Sequence, residues 1–265
     1  MEAELVERYL ARTGYQGPRA PTLDALHALS AAHAKSIPFE NLDVLLGAGI
    51  DISPDAVFAK LVEQRRGGYC FEQNGLFLRV LTAFGFQATP MAARVHMGQP
   101  RTFMPPRTHL FVRVDMEDGS VWLTDVGVGS MSLTAAIRFE LDLEQVTPHE
   151  PRRIVRDGDR YFHQARLGDD WLDVYQFTGE VMPAIDQELG NWYTSAHPQS
   201  HFRRDLMVAR AADDGARVTL LKTELKQRAK DGRATITPVQ SEEHLRELLA
   251  THFGVRLPSG ARIPT

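Results

Sequence analysis

The sequence predicts an α+β protein with a helical first third, a β-rich middle and a small mixed α/β end. Apolar residues recur at helical spacing up to about residue 87, and from about Ala88 they alternate with polar residues. The short alternating runs that follow are separated by Asp-Gly and Gly-Asp pairs, which favour a meander or small barrel. These changes predict three domains, at residues 1–87, 88–190 and 191–265.

Each predicted helix of the first third has a recognisable start and stop. Thr22 caps one helix, which ends before Pro38, and Ser53-Pro54 opens a second. Gly67-Gly68 ends the second helix, and a third begins at Cys70 and stops near Gly85. The apolar stripes that these helices would bury are Leu23, Leu26 and Leu29; Val57, Leu61 and Val62; and Phe77, Val80, Leu81 and Phe84.

The predicted strands of the middle third are residues 110–114, 121–124, 153–155, 161–166 and 171–177. The last third contains two more candidates, residues 217–222 and 234–239. Ser241 then caps a helix that stops near Gly254.

Composition narrows the functional class. The 265 residues include 43% hydrophobic and 24% charged side chains, with a net charge of −4, which is typical of a globular protein and unlike a nucleic-acid-binding surface. The first 14 residues lack the apolar segment of a secretory signal, and no run is long enough for a membrane helix. The single cysteine excludes an internal disulfide and argues against a thiolate metal site, so we expect a cytoplasmic protein without a metal.

That cysteine, Cys70, lies where a nucleophile would be placed. The Gly67-Gly68 pair permits a sharp turn just before a predicted helix, and a helix N-terminus favours a thiolate and a developing oxyanion. Arg66 would add a positive charge one turn away. A lone cysteine is more often a small buried hydrophobe, so these features make Cys70 a candidate nucleophile only if partners exist.

Candidate partners follow from counting along a hairpin. If residues 117–119 form a three-residue loop with Gly119 in the left-handed region, Met116 pairs with Ser120. His109 and Asp125 then point to the same face as diagonal neighbours. A two-residue turn would put them on opposite faces, so the predicted pair depends on the loop.

With these three residues in place, the sequence resembles the arylamine N-acetyltransferases nearly from end to end. The combination of an arginine-Gly-Gly-aromatic-cysteine element with separate histidine and aspartate motifs is highly specific. The matching segments are residues 66–74 around Cys70, 108–110 around His109 and 125–129 after Asp125; residues 9–12, 14–15 and 37–43 near the start; and residues 191–195 with Pro198 and Phe202 later in the chain.

The resemblance implies a helical bundle, an antiparallel β-barrel and an α/β lid around a cysteine-protease-like core. It also implies ping-pong acetyl transfer from acetyl-coenzyme A, a co-substrate rather than a permanently bound cofactor, to an arylamine or hydrazine. Cys70 would carry the acetyl group, His109 would act as base and acid, and Asp125 would orient the imidazole. Glu40 and Arg66 would form a supporting ion pair, whose alternative interpretation is an ordinary solvated salt bridge. A homodimer is also expected.

The resemblance further assigns contacts to the two substrates. Residues near coenzyme A would be Thr108, Gly127, Gly129 and Phe202, and residues lining the amine pocket would be Phe39, Tyr69, Val95 and Val128. A Gly-x-Gly pair alone is a weak phosphate-loop signal, and it is also compatible with a plain turn after a strand. The family often has phenylalanine where this chain has Val128, which removes a ring that could stack on a flat acceptor and leaves the preferred acceptor open.

Three other functions are compatible with the same residues. An amide synthase of the same superfamily would use this triad to close a macrolactam from a polyketide thioester. A cysteine hydrolase or transglutaminase shares the triad chemistry. A binding module that retains the fold without catalysis is the third.

Overall fold

The computed structural model describes residues 2–258 and 260–263, and its first third is helical. The helices are α1 (Glu2–Thr13), α2 (Leu23–Ser36), α3 (Leu42–Leu45), α4 (Pro54–Phe58) and α5 (Cys70–Ala83), with a two-residue strand, β1 (Phe39–Glu40), between α2 and α3. A π-helical turn, Ala59–Glu63, continues α4.

The predicted helix boundaries are confirmed. The Thr22 hydroxyl accepts a hydrogen bond from the Ala25 N–H at 3.3 Å, as an N-cap does. Pro54 is the first residue of α4, where its missing N–H costs nothing. Gly85 has φ +94°, which lets the chain leave α5 at once.

The middle third forms one antiparallel sheet of seven strands in the order β5-β4-β3-β2-β8-β7-β6. Its members are β2 (Gln87–Val95), β3 (His109–Asp115), β4 (Val121–Thr124), β5 (Ile137–Arg138), β6 (Arg152–Asp157), β7 (Arg160–Leu167) and β8 (Asp170–Phe177). The segment after β5 returns to β6, where Gln145 and Arg152 exchange backbone hydrogen bonds of 2.7 and 2.8 Å. The sheet is therefore a nearly closed barrel, as predicted.

The last third contains helices and a second sheet. Helix α6 (Ala184–Ala196) follows the barrel, and β9 (Met207–Ala211), β10 (Arg217–Leu221), β11 (Glu224–Arg228), β12 (Ala234–Pro238) and α7 (Glu242–Leu248) come after it. The sheet order is β1-β9-β10-β11-β12. Sequence patterning did not predict β1, β9 or β11. In β11 only Leu225 is buried, so this strand lacks the alternation that predicts one.

The proposed division into three domains stays a prediction. The boundary between residues 190 and 191 lies within α6. Strand β1, from the first third, pairs with β9 of the last third, with Phe39 opposite Ala209. The first and last thirds of the chain therefore contribute strands to the same sheet.

A buried amide joins these two parts beside that sheet. Asn41 is 1% exposed, and its Nδ2 donates to the carbonyls of Phe202 and Asp205, both at 2.8 Å. Its Oδ1 accepts the Met207 N–H at 2.9 Å. One side chain therefore satisfies three backbone groups of the segment that leads into β9.

Within residues 2–258 and 260–263, no helix has the length and apolarity needed to cross a membrane.

We expect Asn41→Ala to lower the free energy of unfolding by about 2 kcal/mol or more, because it leaves buried backbone groups without partners. Urea denaturation measures this change. Gln99→Ala, which truncates an exposed amide, is the matched control and should change stability by less than about 0.5 kcal/mol. Equal midpoints for Asn41→Ala and the wild type would contradict the role assigned to Asn41.

Candidate active site

Cys70 is the first residue of α5 and is 4% exposed. Its Sγ lies 3.6 Å from the carbonyl oxygen of Thr108, the residue before β3. The first N–H groups of a helix have no acceptor within the helix, which makes this end of α5 a favourable place for negative charge on Cys70. The predicted position of the cysteine at a helix start is confirmed.

The turn before Cys70 requires both of its glycines. A Cβ at Gly67 would lie 2.1 Å from the Pro38 carbonyl oxygen, and one at Gly68 would lie 2.6 Å from Glu72 Oε2. Both distances are far below contact. A larger residue at Gly67 would move the backbone that leads into α5, and one at Gly68 would displace the Glu72 side chain. The Glu72 carboxylate also accepts the Tyr69 N–H at 2.9 Å, which fixes the start of the helix.

The hairpin between β3 and β4 has the register that brings His109 and Asp125 together. Met116 donates its N–H to the Ser120 carbonyl at 2.9 Å, and Gly119 has φ +81°, so the three-residue loop is confirmed. His109 Nε2 lies 2.7 Å from Asp125 Oδ2, and both residues are almost fully buried. Since Nε2 faces the carboxylate, Nδ1 is the ring nitrogen left for Cys70.

Asn74, one turn after Cys70 on α5, holds Asp125 from the other side. Its Nδ2 donates to Asp125 Oδ1 at 2.8 Å and its Oδ1 accepts the Val126 N–H at 3.0 Å. The Gly127 N–H donates to Asp125 Oδ1 at 3.0 Å. A Cβ at Gly127 would lie 2.9 Å from the Cys70 Cα, so glycine is what allows this loop to approach α5.

His109 is the cation of this site. Burial lowers its pKa, but the charge of Asp125, the hydrogen bond to Asp125 and the hydrogen bond to Cys70 outweigh burial and raise the pKa to about 10. The imidazole is therefore held in its protonated form near neutral pH. A protonated His109 stabilises negative charge on Cys70 and can deliver its proton to a leaving group.

Arg66 has a different electrostatic role from the one predicted. Its Nη2 lies 2.8 Å from Glu40 Oε1 and 2.8 Å from Asp43 Oδ1, so two carboxylates share its charge. The chain of ion pairs continues through Lys60, whose Nζ is 2.7 Å from Asp43 and 2.6 Å from Glu72. The expected Glu40–Arg66 pair is thus present, with Glu40 fully buried and Arg66 partly buried. Arg66 anchors the turn before α5 instead of offering a free charge to Cys70.

Three of the aromatic residues singled out in the sequence lie in the apolar cluster that contains Cys70. Phe202 packs against Phe39 and Tyr69, with ring centroids 6.2 and 5.7 Å apart. Tyr69 is fully buried, and its hydroxyl donates to the Asn191 side chain. Gly129 has φ +85° and lies against the Phe39 ring. These residues form a wall beside the cysteine.

Val95 and Val128 lie elsewhere. Both belong to the apolar cluster of the barrel, together with Phe111 and Tyr175, and Val128 is 6% exposed. Val128 is nevertheless flanked by Gly127 and Gly129, which approach Cys70 and the Phe39 ring, so it borders the cluster around Cys70 from the barrel side.

Sequence reasoning missed several residues that build this site. Asn74 follows Cys70 by four positions, the spacing that puts two side chains on one face of a helix, and this spacing could have identified it. Lys60, Asp43 and Asn41 come from separate elements, and no local pattern relates them.

In the described part of the chain, no group of three or more His, Cys, Asp or Glu residues could hold a metal ion.

Comparison with known proteins gives the family. The N-acetyltransferase family model matches residues 22–262. An arylamine N-acetyltransferase from Mycolicibacterium smegmatis is 48% identical over 210 residues, which are 78% of this chain and 76% of that protein. This chain belongs to the arylamine N-acetyltransferase family. The relative named arylamine N-acetyltransferase / N-hydroxyarylamine O-acetyltransferase, from Salmonella typhimurium, is 38% identical and covers 93% of this chain and 87% of its own length.

Solved structures of the family share the fold. The Salmonella typhimurium arylamine N-acetyltransferase superposes with a TM-score of 0.90 at 36% identity, covering 98% of this chain and 94% of that one. The Mycobacterium marinum arylamine N-acetyltransferase in complex with CoA gives a TM-score of 0.90 at 38% identity. The match covers 94% of this chain and 92% of that chain. The predicted combination of helices, barrel and α/β end is therefore the fold of this arylamine N-acetyltransferase family member.

The raised pKa of His109 predicts a pH dependence of stability. The unfolded value is about 6.5 and the folded value about 10, so the stabilisation is fully present below pH 6.5 and is lost as the pH rises to about 10. We expect the difference in unfolding free energy between the wild type and His109→Gln to shrink over that range. Urea denaturation at several pH values measures it. A difference that is constant from pH 6.5 to 10 would show that His109 does not titrate in this way.

Proposed function

We propose that this protein transfers an acetyl group from acetyl-coenzyme A to an arylamine through an acetyl-Cys70 intermediate. The observation that carries the proposal is a buried cysteine at a helix start, beside an imidazole that is hydrogen-bonded to a buried carboxylate. The names of the relatives and the CoA complex of the Mycobacterium marinum protein support the same donor and acceptor. Hydrazines are the second acceptor class that we propose.

In the first half-reaction, the Cys70 sulfur attacks the carbonyl carbon of acetyl-coenzyme A. The tetrahedral intermediate carries negative charge on oxygen, which the free N–H groups at the start of α5 are placed to stabilise. The carbon–sulfur bond to coenzyme A then breaks, His109 protonates the leaving thiolate, and the acetyl group stays on Cys70 as a thioester. The neutral His109 is then ready to act as a base.

In the second half-reaction, the amine nitrogen attacks the acetyl-Cys70 carbonyl. His109 removes a proton from the nitrogen as the bond forms, and the Cys70 sulfur leaves as a thiolate beside the protonated ring. Asp125 keeps the imidazole in one orientation through both halves, and Asn74 keeps Asp125 in place. The products are the N-acetylated amine and the starting enzyme.

The substrate contacts are also proposals. Phe202, Thr108, Gly127 and Gly129 would contact coenzyme A, and their positions around Cys70 support this. Phe39 and Tyr69 would bound the acceptor on the same side, whereas Val95 and Val128 would act from the barrel.

The rival functions receive less support. The macrolactam-forming amide synthase and the cysteine hydrolase or transglutaminase would use the same triad, so the triad alone does not separate them. The matching relatives are arylamine N-acetyltransferases, which favours acetyl transfer over both.

A homodimer, a cytoplasmic location and the three-domain division remain proposals, and analytical ultracentrifugation would test the homodimer.

Incubation with acetyl-coenzyme A tests the central step. We expect the wild type to gain the mass of one acetyl group, with the modification on Cys70. Cys70→Ser should lose arylamine acetylation by at least about 10³-fold, as removal of a triad nucleophile does. Intact-mass and peptide mass spectrometry provide the readout, and Ser132→Ala is a buried-residue control that keeps the triad. An unmodified Cys70, or full activity in Cys70→Ser, would overturn the proposal.

The valine at position 128 predicts a shift in acceptor preference. We expect Val128→Phe to raise kcat/KM for flat bicyclic arylamines relative to small hydrazines by several-fold, because a ring restores aromatic stacking worth about 1 kcal/mol. The acetylation rate of Cys70 should be unchanged. Release of coenzyme A with a panel of acceptors measures the ratio, and Val95→Phe serves as the matched variant. If the ratio is unchanged, Val128 does not face the acceptor.

A further inference from the structure

A cavity of about 420 Å³ lies between the helical third and the last third of the chain. None of the residues that we propose for acetyl transfer lines it. Its lining residues are Ala11, Arg12, Thr13, Gly14, Lys35, Ser36, Arg65, Arg210, Phe253 and Gly254. Cavities of 300–1,000 Å³ are the size that small-molecule sites have.

The lining contains four basic side chains and no acidic one. Lys35 pairs with Asp213 at 3.0 Å, but Asp213 lies at the surface and its side chain is 87% exposed. In residues 2–258 and 260–263, no carboxylate lies within 4.0 Å of the guanidinium groups of Arg12, Arg65 or Arg210. Asp213 lies close enough to Arg210 to oppose part of its charge, so Arg12 and Arg65 are the two cations of the lining that have no counter-charge among the described residues.

Arg12 is a fixed part of the wall. It is 8% exposed, and its guanidinium donates to the carbonyls of Leu61 at 3.0 Å and Ser36 at 2.8 Å. These acceptors are neutral, so the charge of Arg12 stays uncompensated. Burial and the nearby charge of Arg65 lower the pKa of Arg12 to about 10, which is consistent with mutual repulsion of the cations.

Arg65 and Arg210 keep donors available. The Arg210 Nη1 makes a long hydrogen bond of 3.4 Å to the Lys35 carbonyl, and its Nε is buried with no hydrogen-bond partner in the described residues. A buried donor without an acceptor is costly, and a bound ligand is one way to satisfy it. Arg65 is exposed and has φ +56°, a backbone conformation that few residues other than glycine adopt.

Helices α1 and α2 both end at this cavity, and free carbonyl groups at helix ends would repel an anion. Here side chains cover several of them. Arg12 takes the carbonyl of Ser36, and the Thr13 hydroxyl donates to the Tyr9 carbonyl at 3.1 Å. The carbonyl charge that would oppose an anion is therefore partly neutralised at both helix ends.

We propose that this cavity binds a small phosphorylated anion at a site separate from the acetyl-transfer site. Guanidinium groups match the oxygens of a phosphoryl group, and their geometry favours phosphate over a simple point charge. The ligand would contact Arg65, which precedes the turn that leads to Cys70. It would also contact Arg210 in β9, which is adjacent to the residue that pairs with Phe39. Binding would tie the helical third to the β1–β9 sheet and stabilise the fold by mass action.

Calorimetric titration of the full chain with inorganic pyrophosphate tests the proposal, with thermal unfolding as a second readout. We expect saturable binding and a rise in Tm. Arg65→Gln, an exposed substitution that should leave the fold intact, should weaken binding by about 10-fold, as loss of one charge-assisted contact does. Arg210→Gln should weaken it by a similar factor.

The matched control is Arg233→Gln, which removes the same charge from an exposed side chain paired with Asp231. Its affinity should equal that of the wild type, and an equal loss in Arg233→Gln would show non-specific charge binding and overturn the proposal. Repeating the titration at saturating coenzyme A separates the two sites. Unchanged affinity supports the second site, whereas competition would place the pyrophosphate in the acetyl-transfer site. Citrate is an anion without a phosphoryl group. If citrate binds as tightly as pyrophosphate, the proposed preference for phosphorylated ligands is wrong.

Discussion

The structure depends on the close approach of the start of α5 to the loop that follows β4. Asn74 on the helix bonds both to Asp125 and to the Val126 backbone, and Gly127 is small enough to lie against the Cys70 Cα. This contact joins the helical third to the barrel where the nucleophile meets its partners. A displacement of either element by 1 Å would break the short hydrogen bonds on which the imidazole orientation depends.

The same contact explains why the barrel and the helices must fold into one unit. His109 opens β3, and its ring packs on Tyr175 in β8, with ring centroids 5.3 Å apart. The ring orientation is therefore set by barrel packing as well as by the Asp125 carboxylate. Burial on both sides excludes water, which strengthens the charge interactions among Asp125, His109 and Cys70. The third part of the chain adds Phe202, held in place by the Asn41 amide.

Much of this arrangement could be predicted because it is encoded locally. Helix caps such as Thr22 and the turn at Gly119 each depend on a few neighbouring residues, and the hairpin count correctly placed His109 beside Asp125. What could not be predicted comes from contacts between distant segments. Strand β1 has two residues and forms because β9 and Gly68, from other parts of the chain, lie beside it. Asn41 and Lys60 matter through partners far along the chain, which no periodicity reveals.

The ion pairs around the turn before Cys70 change the account of how the thiol is activated. From the sequence, Arg66 was the nearest positive charge, yet Glu40 and Asp43 both bind it. Pairing with two carboxylates leaves little field at the sulfur, whereas removing one partner of a buried pair costs about 3–5 kcal/mol of stability. The charge that Cys70 meets is therefore that of His109, which Asp125 keeps protonated. Arg66 holds the glycine turn in shape, and the histidine supplies the electrostatics.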